Sequence, residues 1–246
     1  MLDYDKEAVE YDALRGGEPR AEAAAEAVLE LVPEATRSLL DVACGTGIVT
    51  RRFAAARQGT RVTGVDLTHG MASRAAARLP GAIVLADSRR LPFRDGEFDA
   101  VTSVWLLHLL AGPEDVRAAV GECARVLRPG GVYVTTVDKA ASHNVGSDID
   151  AVLAPRPRLT PLDAAATVEA YAAEHGLAPA GRTRFRGRGQ GRSPRRALTD
   201  LRRGWFVTLP PGHPLADGFA ARLEALPDQD RPRPDPEFEL RAFRKS

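Results

Sequence analysis

A chain of 246 residues, 44% hydrophobic and 27% charged, has an ordinary globular make-up and is long enough to bury most of its unfolded surface. Its 34 basic and 33 acidic side chains leave a formal charge of +1, which excludes a polybasic nucleic-acid coat or an acidic tail as the governing theme. Cys44 and Cys123 form no CxxC, no apolar run approaches a membrane span, and MLDYDKEAVEYD lacks the apolar core of a signal peptide, so the expectation is a cytoplasmic protein without disulfides.

In chain order, a helix over 19–32 and the segment before it form a cap ahead of the first strand. SLLDVA (38–43) is the apolar run of a buried strand, followed by glycines and a helical stretch over 51–57. RVTGVD (61–66) predicts a second strand, 71–79 a helix, and AIVLAD (82–87) a third strand. FDAVTSVWLL (98–107) contains the fourth, introduced by the turn residues Asp95 and Gly96. A helix starts near Pro113, Glu114 and Asp115, with acids where its dipole favours them, and stops at Arg128-Pro129-Gly130-Gly131. VYVTTV (132–137) is the fifth strand. Strands separated by helical patterns of about ten to fifteen residues predict a parallel sheet with crossover helices.

Past Val137 the rhythm loosens. Residues 138–162 hold prolines and few apolar anchors and read as a loop or lid. A helix over 163–175 closes at Gly176, and alternating arginines over 182–188 suggest an exposed strand. Short helices at 194–206 and 214–226 and a closing strand at 238–243 follow. No internal repeat or clean linker divides the chain. One domain over 1–246 is expected, with a cap (1–32), a core (35–140), and a lid, insertion and closing strands (141–246).

The informative stretch is LLDVACGTGIVTRRFA, a strand, a turn of small residues and a helix. Gly45 and Gly47 let the backbone approach a ligand lying across the strand ends. Asp66 ends the second strand 21 residues after Gly45, where a carboxylate can accept from a ribose diol. Asp87 ends the third strand another 21 residues on and can accept from an exocyclic amine such as adenine offers. Ile48 and Thr50 stand where a pyrophosphate fingerprint needs its third glycine. Ribose and adenine contacts without a phosphate site point to a nucleoside cofactor rather than a dinucleotide.

These residues resemble a class I S-adenosylmethionine-dependent methyltransferase of the small-molecule, type 11 branch. DVACGTG resembles that family's first motif, VTGVDLTHGM its second, and VLADSRRLPFRDGEFDAV its third and fourth. ECARVLRPGGVYVTTV resembles the helix, turn and strand that follow, and YDKEAVEYDALRGG the cap. The resemblance covers about residues 35–140 and departs from the commonest first motif at Ala43, where glycine is usual. It implies a Rossmann-like α/β fold, a seven-stranded, mostly parallel sheet with helices on both faces, a helical cap and a helical insertion before an antiparallel last strand. It implies S-adenosyl-L-methionine as cofactor, S-adenosyl-L-homocysteine as product, and a small-molecule acceptor. Carried over by residue, Asp41, Ala43, Gly45 and Gly47 line the methionine end, Asp66 holds the ribose, and Leu67 and Met71 flank the adenosine. Asp87 binds the adenine amine beside Ser88, Ser103 lies at the end of the fourth strand, and Tyr11 and Arg15 close over the cofactor, with Arg15 opposite its carboxylate.

Methyl transfer needs alignment and exclusion of water, and a base where the nucleophile starts protonated. Of the five histidines, His108 after the fourth strand and His143 after the fifth are the base candidates. His69, His175 and His213 read as helix-end and loop residues, and no pair has metal-ligand spacing, so no catalytic metal is expected. Three lysines (Lys6, Lys139, Lys245) against 31 arginines mark a codon bias, which discounts the nine arginines over 182–203 as a nucleic-acid stripe. An alternating arginine strand also serves as a solvated edge. Transfer to oxygen or nitrogen rather than carbon of a small molecule is the leading reading, with a secondary metabolite or a quinone-like acceptor implied by the resemblance, and a homodimer is left open. The rivals are a nucleic-acid methyltransferase, a nicotinamide oxidoreductase and a non-methylating protein of the same fold.

Overall fold

A computed structural model describes residues 4–246 apart from 158, 207 and 211, and the backbone but not the side chain of residue 6. The cap comprises α1 (Tyr4–Glu7), α2 (Tyr11–Leu14) and α3 (Gly17–Leu31). The core alternates β1 (Ser38–Val42), α4 (Thr50–Ala56), β2 (Arg61–Asp66), α5 (His69–Arg78), β3 (Ile83–Leu85), β4 (Phe98–Ser103), α6 (Pro113–Val126) and β5 (Leu127–Val137). Beyond it come α7 (Lys139–Ser142), α8 (Asp148–Leu153), α9 (Ala165–Glu174), β6 (Leu177–Arg186), α10 (Pro194–Arg202), α11 (Ala216–Glu224) and β7 (Glu237–Lys245).

The seven strands lie in the order β3-β2-β1-β4-β5-β7-β6. Those from β3 to β5 are parallel, and β7 runs antiparallel between β5 and β6. Alternate strand residues point to opposite faces, so one apolar run feeds two cores. Leu39, Ala100 and Val134 meet Ala24 and Val28 of α3 and Phe53 of α4. Their neighbours Leu40, Val101 and Tyr133 meet Val116, Val120 and Cys123 of α6 and Val168 and Ala172 of α9. Each fully buried Val or Leu is worth about 1.5–3 kcal/mol, so these two layers hold the strand ends that carry the site in register.

Residues 138–162 differ from the expected loop, because α7 and α8 fall within them. Ser147 accepts from the Asp150 N–H and the Asp150 carboxylate accepts from the Ser147 N–H, a capping box that starts α8. Ile149 and Leu153, four apart, then pack with Ala197 and Leu201 of α10 and Phe219 and Leu223 of α11. β6 starts at Leu177, ahead of the arginine run, and tolerates Pro179 because it is the outermost strand. Its arginines are exposed, and Arg184 reaches Glu239 of β7 at 3.1 Å. Among the described residues no helix is long and apolar enough to cross a membrane.

Candidate active site

Parallel strands deliver their C-terminal ends to one edge, and from β1 the order runs to β2 and β3 on one side and to β4 and β5 on the other. Ligands bind outside such a switch point. A cavity of about 520 Å³ opens there, walled by the turn after β1, the ends of β2 and β3, the segment after β4, and the cap.

The turn after β1 has Ala43, Gly45 and Gly47 at positive φ. A Cβ on Gly45 would meet nothing within 4 Å, so that face of the backbone is open to a ligand. One on Gly47 would lie 2.9 Å from the Ala75 Cα, so this glycine seats the turn on α5 and does not line the cavity. Gly47→Ala combines that backbone clash with a left-handed φ of 76°, and left-handed backbone alone costs about 1–2 kcal/mol. We expect a loss of at least about 2 kcal/mol of stability, read by chemical denaturation.

Asp41 of β1 lines the cavity with its carboxylate held by Thr50 Oγ1 at 2.6 Å and Thr102 Oγ1 at 2.8 Å. Burial pushes its pKa up to about 6, against the two hydroxyl donors, with Asp66 adding to the rise. Asp66 accepts from the Gly45 N–H at 2.8 Å on one oxygen and from the Thr68 N–H at 2.9 Å on the other. A carboxylate has about four lone-pair positions, so each oxygen keeps one for a ligand. Burial raises this carboxyl as well. Asp87 is gripped by Arg89, whose Nη2 donates at 2.6 Å and whose Nη1 reaches Asp115 at 2.8 Å. The Arg89 hydrogen bonds hold Asp87 below its ordinary value. Leu67, Met71 and Ser88 complete this side of the lining, and Ala43 joins them.

The cap closes the cavity with Tyr4, Asp5 and Tyr11. Asp12 fastens it: it accepts from Thr46 Oγ1 and Arg78 Nη2, both at 2.6 Å, while Arg78 Nη1 donates to the Thr46 carbonyl at 2.7 Å. Asp5 accepts from the Gly70 N–H at 2.6 Å at the start of α5.

Residues 40–135 match the methyltransferase-domain family, type 11. That match covers 96 of the 246 residues, and over them the chain resembles S-adenosylmethionine-dependent methyltransferase domains. It is 39% identical over 108 residues to a demethylmenaquinone methyltransferase of Clavibacter sepedonicus, over 42% of each chain. It is 39% identical over 110 residues to the ubiquinone/menaquinone biosynthesis C-methyltransferase UbiE of Paracoccus denitrificans, over 41% of this chain and 42% of that one. The matches thus span less than half the length of these curated relatives. Among solved structures, the [4+2]-cyclase SpnF superposes with a TM-score of 0.59 at 19% identity, over 98% of this chain and 93% of that one, and shares its fold.

The cavity fits S-adenosylmethionine on its own chemistry: open backbone at Gly45, spare acceptor positions on Asp66, and a buried Arg20 Nε without a partner. Arg20, not Arg15, is the cap arginine that lines the cavity, and it stacks 3.7 Å from the Trp105 ring centroid. Arg15 stacks instead at 3.7 Å on Trp205 from the segment after α10, so it joins cap to insertion. The signal for Arg20 was its place on the buried face of α3 with Ala24 and Val28, masked by the abundance of arginine. Ser103 lies outside the lining because its hydroxyl is spent in the core, 2.6 Å from the Tyr133 hydroxyl and 2.9 Å from Thr135 Oγ1. Trp105, at φ 60°, both lines the cavity and packs on Phe185 and Phe238.

The two base candidates, His108 and His143, do not line this cavity. His108 sits in the short 3-10 turn Leu107–Leu109 with a buried Nδ1 that has no partner. His143 follows α7, edge-on to Phe238, and lines a smaller cavity with Gln190 and Arg192. Burial, with the charge of Lys139 next for His108 and that of Arg192 next for His143, holds both imidazoles neutral. His175 caps the end of α9, and His213 Nδ1 accepts from the Leu215 N–H, so both are structural.

Proposed function

We propose that this protein transfers a methyl group from S-adenosylmethionine to a hydroxyl or amine of a small molecule, a secondary metabolite in the reading its resemblance suggests. The carrying observation is the convergence of Asp41, Gly45 and Asp66 on one cavity that Trp105 also lines, three residues before His108. Bound there, S-adenosylmethionine supplies the methyl group on a sulfonium.

Asp66 accepts from the ribose diol while its backbone bonds keep it aimed. Asp87, fixed by Arg89, accepts from the adenine amine, with Leu67 and Ser88 along the ring. Arg20 faces the methionine carboxylate and Asp41 the amino group. Val104, Leu106 and Leu109 keep water from the reacting line, which a displacement of this kind requires. His108, neutral and with a free ring nitrogen, takes the proton from the acceptor as the new bond forms.

Calorimetric titration with S-adenosylmethionine, S-adenosylhomocysteine and NAD tests the cofactor, and transfer of labelled methyl to a panel of small molecules and to bulk RNA tests the reaction. Micromolar binding of the adenosyl compounds alone, with label entering small molecules, is the expected result. Binding without any turnover would move the chain to the non-methylating reading. His108→Ala should lower turnover about 100-fold with S-adenosylhomocysteine affinity unchanged. Equal loss of both would make His108 a packing residue.

A further inference from the structure

The cap divides at Gly16 and Gly17, two consecutive glycines at φ 86° and 51°. Behind them, α3 buries a face of alanines and Val28 in the core under the sheet. Ahead of them, Ala8 is the one described side chain of residues 4–15 that is buried, and α2 buries none. A segment with so few apolar contacts opens locally at far less cost than global unfolding. The pivot itself is held. The Arg15 carbonyl accepts from Arg20 Nη1 at 2.9 Å and from Gln190 Nε2 at 3.1 Å, and a Cβ on Gly16 would collide with the Arg188 carbonyl. Residues 4–14 are therefore a strap, tethered at one end and fastened over the cavity by polar contacts.

The fastening at Asp12 does more than hold the strap down. Its two oxygens take one donor each, from Thr46 Oγ1 and from Arg78 Nη2, and Arg78 Nη1 returns to the Thr46 carbonyl. The three residues close a ring of hydrogen bonds. Thr46 is the middle residue of the glycine turn and is 1% exposed. To one side of it Gly45 presents open backbone to the cavity and donates to Asp66, and to the other Gly47 rests on Ala75. The hydroxyl and the carbonyl of this central residue thus both depend on a pair of side chains, one from the strap and one from the last turn of α5. When the strap lifts, Thr46 Oγ1 and the Arg78 guanidinium exchange a fixed carboxylate for water. A guanidinium without its counter-ion no longer pins the carbonyl in one place, so the turn loosens with the strap. Asp5 fastens the strap separately, to the Gly70 N–H, and makes no hydrogen bond to the turn.

We propose that Asp12 and Arg78 are positioning residues that couple closure of the strap to the geometry of the glycine turn, so that lifting of the strap, loosening of the turn and exchange of the cofactor are one event. This rests on the cofactor reading above. A ligand seated on the Gly45 backbone beneath Tyr4 and Tyr11 favours the closed arrangement of both parts, and shifts the population by its differential affinity for that arrangement.

The test is hydrogen–deuterium exchange of the full chain read by mass spectrometry, paired with the release rate of S-adenosylhomocysteine in a chase experiment. Peptides over 4–14 report the strap through the Ala8 and Leu14 amides, and peptides over 44–48 report the turn through Gly45 and Gly47. S-adenosylhomocysteine should slow exchange in both segments by the same factor. Asp12→Asn and Arg78→Met should each speed exchange in both, with or without ligand, and should release S-adenosylhomocysteine about tenfold faster. The melting temperature of the ligand-free variants should change little, because the strap adds little to the core. The double variant should release no faster than the faster single one, since either change opens the same ring. Asp5→Ala is the decisive variant. It leaves the ring intact, yet under coupling it speeds exchange over 44–48 as well as over 4–14. Faster exchange confined to 4–14 in Asp5→Ala, or an unchanged release rate in both ring variants, overturns the coupling. A parent protein that does not bind S-adenosylhomocysteine would overturn the methyl-transfer reading, and exchange in the ligand-free parent and Asp5→Ala would still decide the coupling.

Discussion

Asp66→Ala is expected to weaken S-adenosylhomocysteine binding about 100-fold, measured by calorimetric titration at neutral pH. A hydrogen bond to a charged group is worth about 1.5–3 kcal/mol, and two bonds from a ribose diol give about 3 kcal/mol at the low end. Every 1.4 kcal/mol is a factor of about ten in affinity. Asp66 has a second duty, because its oxygens also accept from the Gly45 and Thr68 N–H groups. Alanine therefore loosens the glycine turn, and a stability loss of about 1–3 kcal/mol should accompany the affinity loss. Asp66→Asn keeps one acceptor oxygen and presents an amide donor where the other N–H points. It should fall between the two in affinity and still lose part of the stability, because one of the two backbone N–H groups then faces a donor. A folded Asp66→Ala protein with an unchanged dissociation constant would remove Asp66 from the site.

Asp66 and Asp87 were legible in the sequence because each ends an apolar run, whereas Asp41, inside SLLDVA, came only through the family resemblance. Once the runs are strands of one parallel sheet, their ends must share an edge, whatever the helices between them do. The order β3-β2-β1-β4-β5, which alternation alone leaves open, puts the glycine turn at the switch point. What sequence could not supply is which way a side chain leaves the backbone. Gly45 and Gly47 are two residues apart and look equivalent in the motif, yet one faces the cavity and the other Ala75. Arg15 and Arg20 exchange places for the same reason: α3 buries the face that carries Arg20 and leaves Arg15 to stack on a tryptophan about 190 residues later. α8 stayed hidden because DIDAVL buries only two anchors, Ile149 and Leu153, over its six residues, and their partners lie in α10 and α11.

Cofactor affinity should depend on pH through Asp41. Its carboxyl is buried between Thr50 and Thr102 and stands at about 6 in the folded protein, against an ordinary value of 3.8. A raised carboxyl means that folding favours the protonated form. The stability it contributes to the ligand-free protein is fully present below about 3.8 and is lost as pH rises through about 6. The gap is on the order of 3 kcal/mol, because each unit is worth about 1.4 kcal/mol. The cofactor reverses the preference, since its amino group is a cation and pairs with the ionised carboxylate. Binding below about pH 6 therefore has to release a proton first, and the dissociation constant for S-adenosylhomocysteine should rise up to tenfold for each unit from pH 6 to 5. Between pH 7 and 8 it should stay flat. Asp66 is also raised by burial and lies close enough to add to the slope, so Asp41→Asn is needed to apportion it. That variant should lose most of the pH dependence, bind about 10–100-fold more weakly at pH 7.5, and unfold at a higher temperature than the parent above pH 6 because a buried charge is gone. A wild-type dissociation constant that does not move between pH 5 and 8 would mean that the cofactor's amino group finds its partner elsewhere, and that Asp41 serves only to tie β1 to Thr50 and Thr102.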